Sequence, residues 1–247
     1  MSSLRSHVKA LVERVSGRYV LPRLPHAAYE IAHLRKLFPH LGVDCVFDVG
    51  ANRGQYARML RDGVGFAGPI ISFEPLPDLV EEMRTAGAGD AAWHVEALAL
   101  DREAGPARFN VMRGAQFSSL RAPEANLPDA LVGLNRVVRQ VDVTRATLRE
   151  ELPRWRDKLG FKRPFLKLDT QGNDVAVVEG AGDAIADFVG LQSELAFRSL
   201  YAGSADAFEA ISAYRALGFE LSALVPNNAG HFPLLVEMDC IMSRTRE

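Results

Sequence analysis

Cysteine, net charge and long hydrophobic runs are all scarce in this 247-residue sequence, and each absence excludes a class of protein. The two cysteines, Cys45 and Cys240, stand far apart in apolar segments, which predicts two buried thiols rather than a disulfide framework or a zinc site. Lys and Arg number 29 against 31 Asp and Glu, for a formal net charge of -2, so the chain lacks the basic footprint of a nucleic-acid-binding protein. No run reaches the roughly 18 apolar residues that cross a bilayer, and the N-terminal residues lack the apolar core of a signal peptide. We therefore expect a cytoplasmic protein with no nucleic-acid partner and no stable membrane insertion.

The hydrophobic pattern predicts a helical N-terminal extension, residues 1–42, followed by an α/β domain, residues 43–247. Apolar residues three and four positions apart, from Leu4 to Val15 and again from Ala28 to Phe38, predict two amphipathic helices in the extension. A lid or packing helix on the main domain is the first interpretation of these helices, and a membrane-surface helix or a homodimer contact is the alternative.

From Val43 onwards, short apolar runs alternate with helical segments, as in a mostly parallel sheet that is covered by helices on both faces. The last two runs are joined by a turn at 226–230 without a helix, so the final strand is predicted to be antiparallel. The predicted strands cover 43–49, 69–73, 91–95, 108–112, 137–143, 165–168, 189–195, 219–225 and 234–242, and the predicted helices cover 53–62, 76–85, 175–181 and 205–217.

The segment Asp48-Val49-Gly50-Ala51-Asn52-Arg53-Gly54 has the form of an apolar strand that ends in a glycine turn and opens a helix. Because it has no Cβ, Gly50 allows the backbone to turn sharply and to lie close to a ligand. Ligands of open parallel sheets bind at the carboxyl ends of the strands, at the point where the strand order reverses. The sequence therefore predicts a nucleotide-like cofactor above Gly50.

The spacing of this loop distinguishes between cofactors. A dinucleotide-binding loop has glycine at the position of Asp48, and the Gly-Lys-Ser/Thr of a Walker loop does not follow here. A carboxylate at this position repels a pyrophosphate but attracts a cationic amino-acid ligand. Glu74 ends the next strand, where an acidic side chain can accept hydrogen bonds from both ribose hydroxyls, a feature that nicotinamide sites share. The charges thus favour S-adenosylmethionine, which carries an ammonium and a sulfonium and no phosphate.

Separated blocks of the sequence carry a resemblance to a known family. The blocks are Val46 to Gly54, Phe73-Glu74-Pro75, Glu96-Ala97-Leu98-Ala99 with Asp101, Phe165 to Ala181, Gln192-Ser193-Glu194-Leu195 and Met238-Asp239-Cys240-Ile241. Together they resemble the FkbM-type S-adenosylmethionine-dependent O-methyltransferases, over about residues 43–243. The family usually has Val-Glu-Gly where this chain has Thr170-Gln171-Gly172, and often Glu in place of Asp174, so one negative charge near the predicted active site is lost.

The resemblance implies an α/β, Rossmann-like seven-stranded methyltransferase fold with strand order 3-2-1-4-5-7-6 and an antiparallel last strand. Members of the family mostly methylate hydroxyl groups of natural products, sugars or glycolipids, so a small-molecule or glycan acceptor is expected. The resemblance also implies a set of residues that border the cofactor, namely Asp48, Gly50, Asn52, Gly54, Glu74, Pro75, Ala97, Leu98 and Asp169.

Asp169 is the first candidate for the group that assists methyl transfer. A hydroxyl is a poor nucleophile at neutral pH, so a base or a metal ion has to help remove its proton. Asp169 ends the fourth strand of the expected sheet, and Lys167 faces the same side by strand alternation, where it can pair with Asp169 or with a substrate oxygen. Because Glu194 ends the neighbouring strand, Asp169 and Glu194 are together a candidate Mg²⁺ site.

Two further segments are candidates for the acceptor side. His231, in the loop between the last two strands, is a candidate second base. The irregular stretch 113–134 offers Gln116, Ser118 and Ser119 as neutral hydrogen-bonding groups for a polyhydroxylated acceptor, and an ordinary surface loop is the alternative.

Two other functions stay open beside methyl transfer to a hydroxyl. The Thr170-Gln171 difference is compatible with a methyltransferase-like domain that binds cofactor or a partner without turnover. A nicotinamide-dependent oxidoreductase is the weaker alternative, because Asp48 stands where its loop has glycine.

Overall fold

The computed structural model describes residues 27–125, 127, 129–226 and 234–244. The helix predicted between Leu4 and Val15 lies outside the described residues. The second predicted helix is present as α1, Ala28–Leu41, and it ends at Gly42 in the left-handed conformation (φ 65°). No helix in the described part of the chain is both long enough and apolar enough to cross a membrane.

A seven-stranded sheet forms the centre of the fold, in the order β3-β2-β1-β7-β8-β10-β9. Its strands are β1 (Cys45–Val49), β2 (Ile70–Phe73), β3 (Trp93–Glu96), β7 (Pro164–Leu168), β8 (Gly190–Ala196), β9 (Glu220–Pro226) and β10 (Glu237–Ser243). Counted along the chain within this sheet, the order is 3-2-1-4-5-7-6, and β10 runs antiparallel to both of its neighbours. The predicted fold class is therefore confirmed.

The two additional predicted strands belong to a separate three-stranded sheet, in the order β4-β6-β5. Its strands are β4 (Ala99–Leu100), β5 (Gly105–Met112) and β6 (Val137–Ala146), with β5 and β6 antiparallel. Both long strands begin or end a few residues away from the predicted bounds.

The remaining α-helices are α2 (Gln55–Arg58), α3 (Pro77–Ala86), α4 (Asp129–Val132), α5 (Leu148–Leu159), α6 (Asp174–Ala181) and α7 (Ala207–Ala216). The prediction of one helix over 53–62 is wrong in detail, because α2 continues as a π-helix, Met59–Val64. The pattern does not predict α5, since Leu148, Leu152 and Trp155 are its only buried apolar side chains on an otherwise charged helix. A capping box between Thr147 and Glu150 nevertheless marks where α5 begins.

An apolar core lies on each face of the central sheet, because successive side chains of a strand point to opposite faces. Phe47 and its neighbours pack under α5, α6 and α7, where Trp155 and Tyr214 are fully buried. On the other face, Val46 and Phe165 pack against α1. Both cysteines are buried free thiols, as predicted.

A row of buried polar side chains crosses the α1 face of the sheet near the carboxyl ends of its parallel strands. Ser72, Asp48, Lys167 and Gln192 follow one another in register across β2, β1, β7 and β8, and each is at most 4% exposed. Burying polar and charged groups costs free energy unless they are paired. Apolar packing does not explain why polar side chains occupy these four buried positions, so this part of the sheet is a candidate for function.

Candidate active site

A cavity of about 640 Å³ opens at the carboxyl ends of β1, β2, β7 and β8. It extends from Glu74, which follows β2, to Glu237 at the start of β10. Seven of its lining side chains are carboxylates, whereas Lys167 is the only basic residue among the described residues that line it. The carboxylates are Glu30, Asp48, Glu74, Asp169, Glu194, Glu237 and Asp239. A concave site with this excess of negative charge favours a cationic ligand.

The glycine turn after β1 brings two strand ends into close contact. Gly50 has φ +80°, and a Cβ built on it would lie 2.0 Å from the carbonyl oxygen of Asp169. Gly54 also has a positive φ (+74°), but it does not line the cavity. Its absent side chain leaves room for the ring of Trp93, 2.5 Å from where a Cβ would stand. Gly50 thus lines the cavity and its cofactor contact stays a prediction, whereas Gly54 serves the packing behind the turn.

Glu74 is held by backbone donors on both of its carboxylate oxygens. The N–H of Leu76 donates to Oε1 at 3.0 Å, and the N–H of Asn52 donates to Oε2 at 2.9 Å. Burial raises the pKa of Glu74 to about 7, although both hydrogen bonds oppose the shift. Each oxygen keeps a second lone pair, so Glu74 can also accept hydrogen bonds from a ligand in the cavity.

Asp48 is fixed by a chain of two hydrogen bonds across three strands. The hydroxyl of Ser72 donates to Oδ2 of Asp48 at 2.9 Å, and the indole N–H of Trp93 donates to that hydroxyl at 3.0 Å. Burial raises the pKa of Asp48 to about 6, while Ser72 and the charge of Lys167 lower it. Asp48 therefore lines the cavity with its carboxylate held by the hydroxyl of Ser72.

Three further residues that were predicted to contact the cofactor line the cavity, and a fourth does not. Pro75, Asn52 and Leu98 line the cavity, and Leu98 adds an apolar side chain to its lining. Ala97 does not line it, and its side chain is exposed. The prediction of Ala97 as a cofactor contact is therefore not supported.

Lys167 and Asp169 form the predicted pair at the end of β7. The ammonium of Lys167 lies 3.6 Å from Oδ2 of Asp169 and donates to the carbonyl oxygen of Leu168 at 2.9 Å. Burial lowers the pKa of Lys167, but the surrounding carboxylates, Asp169 first, outweigh burial and raise that pKa above its ordinary value. Lys167 thus stays protonated and cannot serve as a base, whereas the carboxylate of Asp169 is 43% exposed and faces the cavity.

The side-chain amide of Gln171 connects the two residues that were predicted to hold Mg²⁺. Its Nε2 donates to Oδ1 of Asp169 at 2.8 Å and to Oε2 of Glu194 at 3.0 Å, and the hydroxyl of Tyr201 donates to its Oε1 at 2.7 Å. Gln171 also has φ 56°, which is strained for a residue with a Cβ and is typical of functional sites. Among the described residues, no group of three or more His, Cys, Asp or Glu side chains is arranged to hold a metal ion. The predicted Mg²⁺ site at Asp169 and Glu194 is therefore not supported.

Sequence reasoning missed several residues of the site. Gln192 donates through Nε2 to Oε1 of Glu30 at 2.7 Å and to Oδ2 of Asp239 at 2.8 Å, which joins α1 to β8 and β10. Glu237 also lines the cavity. The sequence did contain a signal for Glu237. It stands two residues before Asp239, and side chains two residues apart point to the same face of a strand. The first residues of an antiparallel β10 lie at the edge where the parallel strands end.

The segment before α4 contributes to the cavity in part. Gln116 and Ser118 line it, as predicted for an acceptor loop. Ser119 is fully buried instead, and its hydroxyl donates to the carbonyl oxygen of Gln171 at 2.8 Å, so it holds the loop in place. His231, the candidate second base, lies outside the described residues.

Comparison with protein families agrees with this geometry. A model described as the methyltransferase FkbM domain matches residues 48–221, which is more than half of the chain. The chain belongs to the FkbM methyltransferase family. The match includes Asp48, Glu74 and Asp169, and it ends before β10. No curated protein is similar enough in sequence to match.

Several solved structures are distantly similar to this FkbM-family chain. Methyltransferase FkbM from Methylobacillus flagellatus KT has 14% identity and a TM-score of 0.48, over 81% of this chain. The chain spans only 43% of the length of that protein. Magnesium protoporphyrin IX methyltransferase from Synechocystis PCC 6803, with bound SAM, has 8% identity and a TM-score of 0.46, over 89% of this chain and 80% of that one. An rRNA methylase from Streptococcus thermophilus has 9% identity and a TM-score of 0.46, over 92% and 99% of the two chains.

The residues of this FkbM-family cavity fit S-adenosylmethionine, the cofactor that the family implies. Glu74 offers two acceptor oxygens after the end of β2, and Leu98 is an apolar side chain that lines the same cavity. The acids around Gly50 suit a ligand that carries positive charge, and they would repel the pyrophosphate of a dinucleotide.

Proposed function

We propose that this protein transfers a methyl group from S-adenosylmethionine to a hydroxyl group of a small molecule, sugar or glycolipid. The observation that carries the proposal is the acidic cavity at the strand ends, in which Glu74 and Asp48 flank the Gly50 turn and Asp169 faces the same space. Membership of the FkbM family supports methyl transfer, and the choice of a hydroxyl acceptor rests on the family resemblance.

Glu74, Asp48, Pro75 and Leu98 would hold the cofactor. Glu74 would accept the ribose hydroxyls, Leu98 and Pro75 would border the adenine, and Asp48 would attract the ammonium of the amino-acid end. When bound, S-adenosylmethionine supplies a methyl group on a positively charged sulfur, which keeps the electron pair of the bond that breaks. Alignment of an acceptor oxygen with such a methyl group is worth roughly 7–11 kcal/mol in favourable models.

Asp169 would take the proton of the acceptor hydroxyl. Its carboxylate faces the cavity, and Lys167 holds it from one side while Gln171 holds it from the other. Because Lys167 stays protonated, it would position Asp169 and stabilise negative charge that develops on the acceptor oxygen.

The remaining expectations stay predictions. The carboxylate-rich cavity supports a small-molecule or glycan acceptor rather than nucleic acid, whose phosphates these acids would repel. A homodimer through the N-terminal helices falls largely outside the described residues. A cytoplasmic location stays a prediction as well.

One observation favours a second candidate function, a domain that binds cofactor or a partner without turnover. The amide of Gln171 already occupies one oxygen of Asp169 and one of Glu194, where the family usually has a carboxylate. Such a domain would bind S-adenosylmethionine but release no product with any acceptor.

Replacing Asp169 with Asn tests the catalytic proposal. Release of S-adenosylhomocysteine would be measured over a panel of hydroxylated acceptors, and binding of S-adenosylmethionine would be measured by calorimetry. We expect Asp169→Asn to lose about 100-fold or more of the turnover while its affinity for S-adenosylmethionine stays close to wild type, because the amide cannot accept the proton. Asp157→Asn, on the exposed face of α5, is the matched control and should keep both.

Near-normal turnover in Asp169→Asn would show that Asp169 is not the base. Intact binding with no turnover by the wild-type protein on any acceptor would favour the binding domain instead.

A further inference from the structure

Glu237 is a buried carboxylate that no described residue pairs. It is the first residue of β10, it is only 6% exposed, and its side chain lines the cavity. No hydrogen bond or ion pair joins its carboxylate to any residue that the structure describes. Burial without a partner disfavours the ionised form of a carboxylate, so a carboxylate in this state that lines a cavity points to a ligand that completes it.

Positive charge is scarce among the described residues around Glu237. Asp239 lies two residues further along β10, directly opposite Glu194 on β8, and Asp169 stands at the end of β7. Like charges directly opposite one another on neighbouring strands are destabilising. Lys167 is the one ammonium among the described residues of this region; its ion pair is with Asp169, and the charges of Asp239 and Glu194 also raise its pKa. Burial, with Asp169 and Asp239, raises the pKa of Glu237 to about 7.

Glu237 lies away from Glu74, which marks the part of the cavity that suits the cofactor. Glu74 follows β2, whereas Glu237 begins β10, four strands further across the sheet. Neighbouring strands are about 4.8 Å apart, so roughly 19 Å separates the two ends. Asp169, which directly follows β7, stands between them. A group that meets Glu237 therefore belongs to the acceptor rather than to the cofactor.

The carboxylate oxygens of this region are hydrogen-bond acceptors, and N–H groups are suitable donors to them. The amide of Gln171 already donates two N–H bonds here, to Asp169 and Glu194 at 2.8 and 3.0 Å. A protonated amine provides three N–H donors together with the missing positive charge, whereas a neutral hydroxyl provides one donor and no charge.

We propose that the acceptor carries a protonated amine beside the hydroxyl to be methylated, as amino alcohols and amino sugars do, and that Glu237 and Glu194 bind this amine. The inference rests on the proposed function, since it assigns the acceptor class of the same site. Glu237 is then a specificity-determining residue that favours amine-bearing acceptors over neutral ones.

Paired ligands test this inference. The full-length protein is saturated with S-adenosylhomocysteine and titrated calorimetrically with glucosamine, galactosamine and 2-deoxystreptamine, and with the N-acetylated form of each. We expect at least one amine to bind at least tenfold more tightly than its N-acetylated form, because acetylation removes the charge and leaves the hydroxyls. Glu237→Gln should abolish that preference while keeping the affinity for S-adenosylhomocysteine. Glu81→Gln, an exposed glutamate on α3, is the matched control and should keep the preference.

Each other outcome is decisive. If S-adenosylhomocysteine binds but amines and N-acetylated forms bind equally, or none of the amines binds, the amine site is refuted and the proposed cofactor site stands. Tight binding of Mg²⁺ that Glu237→Gln removes, without any preference for amines, would assign these carboxylates to a metal ion and refute the inference. If the wild-type protein does not bind S-adenosylhomocysteine, the proposed function fails, and the inference fails with it.

Discussion

At the scale of single residues, Gly50 occupies a position that no other residue can share. Its φ of +80° is costly for a residue with a Cβ, and the carbonyl oxygen of Asp169 lies 2.0 Å from where that Cβ would be. Because the obstacle is backbone rather than a flexible side chain, β1 and β7 would have to separate. Gly65 has nearly the same φ (+81°) with nothing within 4 Å of a Cβ.

This pair of glycines gives a matched test of the close approach. We expect Gly65→Ala to lower the free energy of unfolding by about 1 kcal/mol, from the left-handed conformation alone. Gly50→Ala should lower it by about 2–4 kcal/mol, since overpacking adds to the same strain. Urea denaturation of both variants measures the difference, and equal losses would show that the contact with Asp169 does not constrain the turn.

Residues at strand ends were predictable from the sequence, and residues defined by tertiary pairing were not. Glu74 and Asp169 directly follow apolar runs, and Asp48 is the last residue but one of such a run, so their place at one edge of the sheet follows from parallel topology. Glu30 lies on a helix far from the others in sequence, and only its hydrogen bond with Gln192 places it at the site. Glu237 could have been predicted from the antiparallel direction of β10, because the first residues of that strand lie where the parallel strands end.

At the scale of elements, the carboxyl-end edge of the sheet concentrates acids whose pKa is raised by folding. Burial raises the pKa of Asp48 to about 6 and those of Glu74 and Glu237 to about 7. In an unfolded chain such groups have a pKa of about 4. Between these values the folded protein binds more protons than the unfolded chain does, so the free energy of unfolding decreases as the pH rises.

The expected result is a melting temperature that falls between pH 5 and pH 8 and then levels off. Glu237→Gln should fall less over the same range, because it removes one of the contributing groups, and Glu81→Gln should follow the wild type. Thermal denaturation monitored by circular dichroism in a series of buffers measures both. A melting temperature that rises from pH 5 to pH 8 would contradict the raised pKa values.

The elements that the sequence did not predict share a physical reason. α5 buries few apolar side chains and carries many charges, so its apolar periodicity is a weaker signal for a helix than the capping box at its start. The π-helix Met59–Val64 continues a helical pattern, and apolar periodicity cannot distinguish its wider turn from an α-helix. The central strands were predictable because they are buried on both faces and appear as continuous apolar runs.

At the scale of the whole molecule, one face of the sheet combines packing with binding. α1 buries Leu34 and Phe38 against this face, and it brings Glu30 to the cavity. The predicted N-terminal extension thus contributes directly to the site through the part of it that the structure describes. The polar row from Ser72 to Gln192 continues the same face, and it ends where the carboxylates gather.

The central claim is that this cavity binds S-adenosylmethionine, and calorimetric titration tests it most directly. We predict micromolar binding of S-adenosylmethionine and S-adenosylhomocysteine and no binding of NAD⁺. Glu74→Ala should weaken the adenosyl ligands about tenfold or more, as expected for lost hydrogen bonds to a charged group, whereas Glu81→Ala should not. Binding of NAD⁺ alone, or of none of the three ligands, would contradict the account.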